Sequence, residues 1–361
     1  MADIRLEGVA HSYDGGKTYA VRPITMTWED GKAYALLGPS GCGKTTLLNI
    51  TSGLLKPSEG RIYIDGKDVT DLPTDQRNIA QVFQFPVLYD TMTVRKNLEF
   101  PLKNRKLSRE DITQRVTEIS ALLGLEDKLD IKPSKLRSDL QQIVSLGRGL
   151  VRSDVAAILF DEPLTVIDQN FKWTLRNRLK RLQLTTGVTV VYVTHDQTEA
   201  LTFADEVLVM DQGNLVQVGS SEKLFLEPEH EFVGYFIGSP GMNFLEVNAN
   251  SSVLSLNGEQ IGSASKPGLE GTLRLGVRPE FLVPGGQGDV EFMVERIEDR
   301  GVYKLVHLSK AGFQLIAKVD ENYSATVGAK AFFTFAPNRA FVFDGNKRVI
   351  ATVSPMAKAR N

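Results

Sequence analysis

The chain has 361 residues, a length that predicts two domains at about 150 residues per domain. Hydrophobic residues make up 42% and charged residues 24%, which excludes a disordered, collagenous or disulfide-stapled chain. The 42 basic and 44 acidic residues leave a formal charge of −2, so the chain has no electrostatic footprint for DNA or RNA. We therefore expect no nucleic-acid partner.

The sequence also lacks the marks of export and membrane insertion. No apolar run approaches the roughly 18 residues that span a bilayer, and residues 1–5 begin no secretory signal. The single cysteine, Cys42, has no disulfide partner within the chain. These features predict a soluble protein of a reducing compartment, most simply the cytoplasm.

Residues 1–238 alternate short apolar strands with amphipathic helices, which is typical of an α/β domain. Apolar runs at 33–37, 156–160 and 188–193 predict buried parallel strands, and each is followed at once by glycine-rich or polar residues. In open α/β sheets the ligand crevice lies at the carboxyl ends of the strands. A ligand site is therefore expected where these three runs end.

Residues from about 89 to 152 form a helical block that we expect to be inserted into the α/β core. The stretch 108–124 has a polar start, helical apolar spacing and a terminal glycine, which predicts a helix. A second helix is predicted around 139–152, after a break at Lys132-Pro133.

The tail is predicted to be a separate all-β domain of about 120 residues. Residues 238–241 read Gly-Ser-Pro-Gly and mark the predicted boundary between domains 1–238 and 239–361. Short alternating strands such as 273–278 and 332–335 follow, separated by glycines, and favour a small barrel. The tail shows no titratable cluster and no metal-ligand spacing.

Residues 38–45 match the phosphate-loop pattern G-x-x-x-x-G-K-[ST] at every position. Glycines let successive N–H groups face phosphate oxygens, and the helix predicted from Thr46 to Leu54 adds the positive end of its dipole. We expect Lys44 to reach the β- and γ-phosphates and Thr45 to bind Mg²⁺. The predicted nucleotide-binding residues here are Gly38, Pro39, Ser40, Gly41, Cys42, Gly43, Lys44, Thr45 and Thr46.

Three further side chains follow predicted strands. Asp161 is expected to hold Mg²⁺ through water, and Glu162 to polarise the attacking water. His195 stands where a γ-phosphate sensor would lie. In isolation, the alternatives are a solvated acidic turn and a structural histidine.

These motifs together resemble the nucleotide-binding subunits of ABC transporters. More narrowly, the chain is similar to the ATPases of bacterial sugar and polyol importers, which carry a C-terminal β-barrel (TOBE/OB-like) regulatory domain. Residues 275–280 match a motif of that domain, and the resemblance covers essentially the whole chain. It implies an ATPase with ATP and Mg²⁺ as cofactors and a P-loop α/β core with an inserted helical subdomain.

The resemblance assigns three more site residues. Tyr13 matches the aromatic residue that stacks on adenine, for which a strand aromatic in the core is the alternative. Gln84 matches the glutamine that contacts Mg²⁺ and the lytic water, and it begins the surface that meets the membrane subunits. Asp168 matches the aspartate of the loop that crosses the dimer interface. The predicted catalytic set is therefore Glu162, His195, Gln84 and Lys44, and the predicted metal set is Thr45, Gln84 and Asp161.

The resemblance also implies partners and a location. They are two transmembrane permease subunits and, indirectly, a periplasmic solute-binding protein, at the cytoplasmic face of the bacterial inner membrane. Residues 81–94, 145–150 and 234–243 resemble an ATPase of a glycerol importer that uses two different ATPases. The expected solute is therefore a small polyol or sugar, glycerol first, with a maltose or glycerol-3-phosphate importer as the alternative.

One loop departs from the family. Residues 136–140 read Leu-Arg-Ser-Asp-Leu where the family signature reads Leu-Ser-Gly-Gly-Gln, the loop that caps the γ-phosphate held by the opposite subunit. A like charge about 5 Å from phosphate costs about 3 kcal/mol at an effective dielectric near 20, and Asp139 introduces such a charge. Arg137 offsets only part of it. We expect a second ATPase with an intact signature as partner.

Several alternatives stay open on sequence alone. A harmless signature variant is one, and a nucleotide-binding regulatory subunit with little hydrolysis is another. A soluble cassette of translation or DNA repair is disfavoured because the chain has neither a second cassette nor a long coiled coil. A kinase or GTPase is disfavoured because no Asn-Lys-x-Asp segment is present.

Overall fold

The computed structural model of the chain describes residues 3–286, 289–310 and 312–355, and it leaves out the side chain of Asn170. The chain divides into two compact units, one up to Ser221 and one from Glu222 onward. Within the described residues, no helix combines the length and the apolar character needed to cross a bilayer.

The first unit contains two sheets and six α-helices. Its strands are β1 (Ile4–His11), β2 (Val21–Trp28), β3 (Ala33–Leu37), β4 (Glu59–Ile64), β5 (Lys67–Asp68), β6 (Ile79–Val82), β7 (Ala157–Asp161), β8 (Thr189–Thr194), β9 (Glu206–Asp211) and β10 (Asn214–Gly219). Its helices are α1 (Lys44–Ser52), α2 (Val94–Asn104), α3 (Arg109–Leu123), α4 (Ser138–Leu150), α5 (Gln169–Thr186) and α6 (Gln197–Phe203). Short 3₁₀ helices span Thr74–Gln76, Glu126–Lys128 and Pro133–Lys135.

The six-stranded sheet has the order β10-β9-β3-β8-β7-β6. The pairs from β9 to β6 are parallel, and β10 adds an antiparallel edge. The three strands predicted from apolar runs are confirmed as β3, β7 and β8, and their side chains are buried throughout. A smaller antiparallel sheet has the order β2-β1-β4-β5.

The predicted helical block between β6 and β7 is present as α2, α3 and α4. Helix α3 confirms the prediction at 108–124, because the Ser108 side chain accepts a hydrogen bond from the Asp111 N–H and Gly124 ends the helix at a φ of 70°. The three helices pack on one another, and their apolar faces share one core with β6, β7 and β8.

The second unit is all-β apart from short helices, as the sequence predicts. Its helices are α7 (Ser221–Leu226), which starts at the end of the first unit, and α8 (Glu231–Phe236), and a 3₁₀ helix spans Pro279–Phe281. Its strands are β11 (Asn243–Asn250), β12 (Val253–Leu256), β13 (Glu259–Ala264), β14 (Gly271–Val277), β15 (Leu282–Pro284), β16 (Val290–Asp299), β17 (Tyr303–Lys310), β18 (Phe313–Asp320), β19 (Lys330–Phe335), β20 (Ala340–Phe343) and β21 (Val349–Ser354).

The C-terminal strands form a closed barrel and an open sheet. The barrel runs β11-β12-β13-β21-β20-β14, and the five-stranded sheet has the order β15-β19-β16-β17-β18. Their inner faces share a single apolar core. The sequence predicted a single small barrel. The structure contains that barrel and also a five-stranded sheet, which the strand pattern did not distinguish from the barrel.

The boundary between the two units lies between Ser221 and Glu222, earlier in the chain than the predicted boundary at 238. The reason lies at Arg278, which is fully buried and donates to the carbonyls of Leu224, Phe225, Gly234 and Ile237. Burial lowers the pKa of this guanidinium to about 10, so it keeps its charge at neutral pH. These bonds tie residues 222–238 to the barrel rather than to the α/β unit.

Candidate functional site

Four neighbouring parallel strands, β3, β8, β7 and β6, end at one edge of the sheet. The loop 38–45 follows β3, and His195 follows β8. Strand β7 ends at Asp161 and is followed by Glu162, whereas Gln84 lies two residues beyond β6. Residues far apart in sequence thus meet where a doubly wound sheet binds its ligand.

Two glycines of the loop occupy places where no side chain fits. A Cβ on Gly38 would lie 2.2 Å from the carbonyl oxygen of Met210, and one on Gly43 would lie 2.2 Å from that of Ala20. Gly43 also has a φ of 103°, which L-residues rarely adopt. The motif glycines therefore satisfy a backbone requirement that neighbouring strands impose.

Lys44 is buried beneath the loop. Its Nζ donates to the carbonyl oxygens of Gly38 at 2.8 Å and Pro39 at 2.9 Å. Ser40 and Gly41 are exposed at the tip of the same turn. The ammonium group therefore lies inside the backbone loop that is predicted to bind phosphate.

Two of the three side chains predicted for Mg²⁺, Thr45 and Asp161, lie together. The Thr45 hydroxyl donates to Oδ1 of Asp161 at 3.0 Å across the β3 and β7 strand ends. Burial raises the pKa of the Asp161 carboxyl, and the Thr45 hydrogen bond opposes that shift. No group of three His, Cys, Asp or Glu side chains in the described ranges forms a metal cage. A hydroxyl and one carboxylate suit Mg²⁺, which usually completes its shell with water and substrate phosphates.

Replacing Asp161 with Asn should stabilise the nucleotide-free protein while removing the carboxylate predicted to bind Mg²⁺. The raised pKa means that the folded state holds the Asp161 proton more tightly than the unfolded chain, so stability falls as pH rises through the raised pKa. At pH 7.5 we expect the melting temperature of Asp161→Asn to exceed that of the wild type, because the amide carries no charge to be buried.

Calorimetric scans from pH 7.5 downward check this result. The difference should shrink as pH falls from the raised pKa toward and below 3.8, the ordinary pKa of Asp, because the wild-type carboxyl is then protonated in the folded and the unfolded chain. The exposed substitution Asp90→Asn serves as the control and should show no such trend. A less stable Asp161→Asn protein at pH 7.5 would contradict the prediction.

Glu162 is held in an unusual conformation at the end of β7. Its φ is 45°, in the left-handed region, and its N–H donates to the carbonyl of Val193 at 3.0 Å. The Thr165 hydroxyl, which the sequence analysis did not single out, lies 3.1 Å from the Glu162 carbonyl oxygen and 3.3 Å from Oε2. Such strain costs about 1–3 kcal/mol and persists where neighbours fix it, commonly at functional sites.

The carboxylate of Glu162 connects the other predicted catalytic side chains. Its Oε2 lies 3.0 Å from Nδ1 of His195 and 3.5 Å from Nε2 of Gln84. Because a carboxylate oxygen only accepts, Nδ1 of His195 carries a proton in this contact.

Tyr13 lies beside the phosphate loop rather than in the core. Its side chain is 68% exposed, its hydroxyl lies 3.2 Å from that of Thr46, and its ring packs edge-on against His11. An exposed ring next to the loop is available for stacking, whereas the core alternative is not observed. Asp168 is exposed at the start of α5, three residues after Thr165.

Gln142 is a second residue that the motif search missed. It is fully buried in α4, and its Nε2 donates to the carbonyls of Phe83 at 3.0 Å and Pro163 at 3.2 Å. Phe83 and Pro163 are the chain neighbours of Gln84 and Glu162. The helical block is therefore hydrogen-bonded to the backbone on both sides of the predicted catalytic pair.

Cys42 differs from a reactive loop cysteine. It is 4% exposed within the apolar core of the first unit, and burial raises the pKa of its thiol despite the nearby ammonium of Lys44, whose Nζ lies 3.8 Å from the sulfur. Proximity to Lys44 in sequence favours the opposite direction. The thiol fills a small buried position.

The altered signature loop begins α4. Arg137 precedes the helix, and its guanidinium lies 2.8 Å from Oδ2 of Asp139. The other carboxylate oxygen of Asp139 accepts the Leu140 N–H at 2.9 Å. The first turn of α4 therefore presents a carboxylate of the chain itself where the family presents N–H groups to phosphate.

Comparisons with known proteins agree with this arrangement. A model of the ABC transporter family matches residues 21–165. The sn-glycerol-3-phosphate import ATP-binding protein UgpC of Jannaschia sp. is 37% identical over 96% of this chain and 99% of its own length. The trehalose/maltose import ATP-binding protein MalK of Thermococcus litoralis is 39% identical over 95% of this chain and 98% of its own length.

Solved structures give the same answer for the first unit. The dimeric cassette MJ0796, bound to ADP and Pi in a post-hydrolysis state, matches with a TM-score of 0.55 and 31% identity. The match covers 60% of this chain and 98% of that one. The fold, the strand-end site and near-full-length relatives lead to one conclusion: this chain belongs to the ABC transporter family, as an ATPase that uses ATP and Mg²⁺, among the ATP-binding subunits of sugar and glycerol-3-phosphate importers.

Proposed function

We propose that this ATPase powers the import of a small polyol or sugar across the bacterial inner membrane, from its cytoplasmic face. Glycerol is the first candidate, on the resemblance of residues 81–94 and 234–243 noted above. Relatives named for sn-glycerol-3-phosphate and for trehalose/maltose support the solute class. Its partners in this proposal are two permease subunits, a second ATPase and, indirectly, a periplasmic solute-binding protein.

The residues at the strand ends supply the hydrolytic chemistry. Lys44 and the loop N–H groups bind the phosphates, and the Tyr13 ring stacks on adenine. Thr45, Gln84 and Asp161 would hold Mg²⁺, which neutralises charge that develops on the phosphates. Glu162 takes a proton from the attacking water, and His195, whose Nδ1 lies 3.0 Å from Oε2 of Glu162, contacts the γ-phosphate.

The observation that carries the asymmetric part of the proposal is the ion pair at α4. In a pair of such subunits, the start of α4 faces the nucleotide of the opposite subunit, as does the Asp168 loop. Here the Asp139 carboxylate already occupies that helix end. An incoming γ-phosphate would meet a like charge, only part of which Arg137 offsets.

A pair made of two copies of this chain would therefore hold two sound phosphate loops and two poor caps. A different ATPase with an intact signature corrects one of the two composite sites. The hydrolytic site then combines the strand-end residues of this chain with the cap of its partner. The second site, capped by Arg137, Ser138 and Asp139, stays weak.

Restoring the serine and the two glycines of the family signature tests this asymmetry. The triple substitution Arg137→Ser, Ser138→Gly and Asp139→Gly frees the first N–H groups of α4 for phosphate. In the purified native complex we expect one trapped nucleotide per ATPase pair, and two after the substitution, counted with radiolabelled ATP after rapid gel filtration. Arg137→Lys keeps the charges and should leave the count at one. A native complex of two identical copies with both sites turning over would contradict the proposal.

Transport coupling is tested in lipid vesicles that contain the complete complex. A binding protein loaded with glycerol should stimulate ATP hydrolysis more than one loaded with sn-glycerol-3-phosphate or maltose. The altered signature also fits a regulatory subunit that binds nucleotide with little hydrolysis. A single-turnover assay separates the two, because only the proposed ATPase converts its bound ATP.

A further inference from the structure

The second unit contains an open cleft of about 650 Å³ that the nucleotide chemistry does not use. One wall is the segment Pro240–Phe244, and the other is formed by strands β16, β17 and β18. Its volume lies in the range of sites for small molecules. All residues that line it belong to the second unit.

Hydrogen-bonding side chains gather on the strand side of the cleft. The register places Arg296 opposite His307, and a β-bulge lies between Val294 and Arg296. The bulge residue is Glu295, which lines the cleft and accepts a hydrogen bond from Ser309. Bulges turn side chains out of the regular alternation of a strand, commonly beside binding sites.

The polar groups are held in place by one another. Nε2 of His307 lies 2.9 Å from Oε1 of Glu298 and 3.1 Å from a guanidinium nitrogen of Arg296. Glu298 also pairs with Arg296 and, at 2.6 Å, with Arg300. The hydrogen bond from Arg300, followed by that from His307, keeps the pKa of Glu298 below its ordinary value. Because Nε2 of His307 donates to Glu298, its contact with Arg296 is not a hydrogen bond, and Glu298 is the acceptor that the cluster shares.

Its charges are balanced. Among the side chains that line the cleft, Glu295 carries a carboxylate and Arg296 a guanidinium, whereas Glu298 and Arg300 extend the cluster beyond the lining. A multiply charged anion gains little from such a site, because Arg296 already has the Glu298 carboxylate beside it. A neutral ligand with neighbouring hydroxyl groups fits better, since it donates to a carboxylate and accepts from guanidinium and amide groups at once.

The opposite wall supplies an apolar surface. Phe244 belongs to the Pro240–Phe244 wall, and Tyr235 also lines the cleft, with 65% of its side chain exposed. An exposed ring offers a flat face to the C–H side of a carbohydrate while its hydroxyl stays available for hydrogen bonds. Gln314, exposed on β18, adds an amide that both donates and accepts.

We propose that this cleft binds a neutral polyol or sugar. This cleft is separate from the nucleotide site at the strand ends. A ligand bound in it would be held by the second unit alone. This proposal depends neither on ATP hydrolysis nor on the pairing of this chain with a different ATPase.

Titration calorimetry on the full-length chain tests the site, with glycerol, sorbitol and maltose as separate probes. At least one should bind saturably, and saturating Mg·ATP should not displace it. Tyr235→Ala and Gln314→Ala should each weaken binding by about tenfold, because each removes one wall contact of an exposed side chain. Gln260→Ala, an exposed glutamine on β13, is the matched control and should bind as the wild type does.

Two further arms use sn-glycerol-3-phosphate and inorganic phosphate. Both should bind more weakly than the neutral probe. The proposal is overturned if no neutral probe saturates, if neither variant weakens binding, or if a phosphate compound binds more tightly. Nucleotide binding, measured on the same preparations, is expected to be unchanged in both variants and shows that the chain remains folded.

Discussion

Glu162→Gln is expected to slow ATP hydrolysis in the assembled complex by about 10²–10⁴-fold while leaving ATP bound. The amide has nearly the same shape as the carboxylate, and its oxygen still accepts the Nδ1 proton of His195. It is a far weaker base, so the attacking water keeps its proton. The site therefore closes on ATP without completing the reaction.

Steady-state phosphate release measures the loss, and nucleotide retained through gel filtration measures the trapping. Glu110→Gln, an exposed substitution in α3, is the control and should behave like the wild type. Hydrolysis within a few-fold of the wild type would contradict the assignment of Glu162 as general base. The same variant should also stop transport, because the complex resets only after hydrolysis.

Lys44→Ala is expected to act one step earlier, on nucleotide binding itself. A hydrogen bond to a charged group contributes about 1.5–3 kcal/mol, so removing the phosphate contacts of Nζ should weaken Mg·ATP binding by about a hundredfold or more. The loop also loses its bonds from Nζ to the carbonyls of Gly38 and Pro39. The Lys44 ammonium group is therefore expected to bind the phosphate and to stabilise the conformation of the loop around it.

Titration with a fluorescent ATP analogue gives the affinity, and thermal unfolding gives an independent reading. Mg·ATP should raise the melting temperature of the wild type but not that of Lys44→Ala, because a bound ligand stabilises only the state that binds it. Lys56→Ala, at an exposed lysine, should keep the full increase. A variant that retains the nucleotide-induced increase would show that Lys44 is not a phosphate ligand.

The elements of the first unit were predictable because local and long-range signals agree there. Helix α3 has its cap at Ser108 and its stop at Gly124, and the buried strands read as unbroken apolar runs. The site was predictable for a related reason: parallel strands bring their carboxyl ends to one edge, so residues that follow different strands are neighbours. Glu162 and His195, which motif spacing singled out, do lie together at that edge, and their catalytic roles stay a prediction.

Features that depend on distant packing were not predictable. Chain neighbours of Cys42 favour a lowered pKa, but burial within a core built from several strands decides the direction. Thr165 and Gln142 belong to no motif, and only the folded backbone brings them to the Glu162 and Gln84 segments.

The polar cluster of the tail escaped sequence analysis for another reason. Arg296, Glu298 and Arg300 alternate at a spacing of two, the period of a strand face, which was a readable signal. The register that places His307 beside Arg296, and the bulge that turns Glu295, are set by pairing with β17. Neither feature can be predicted from the residues of β16 alone.

Arg278 has a practical consequence for dissecting this protein. A shortened polypeptide that starts at residue 239 would keep a charged guanidinium in the barrel yet discard the four carbonyl groups that solvate it. A break placed after Ser221 leaves that arginine with all its acceptors. Residues 222–238 must therefore be included with the barrel whenever the two units are produced as separate polypeptides.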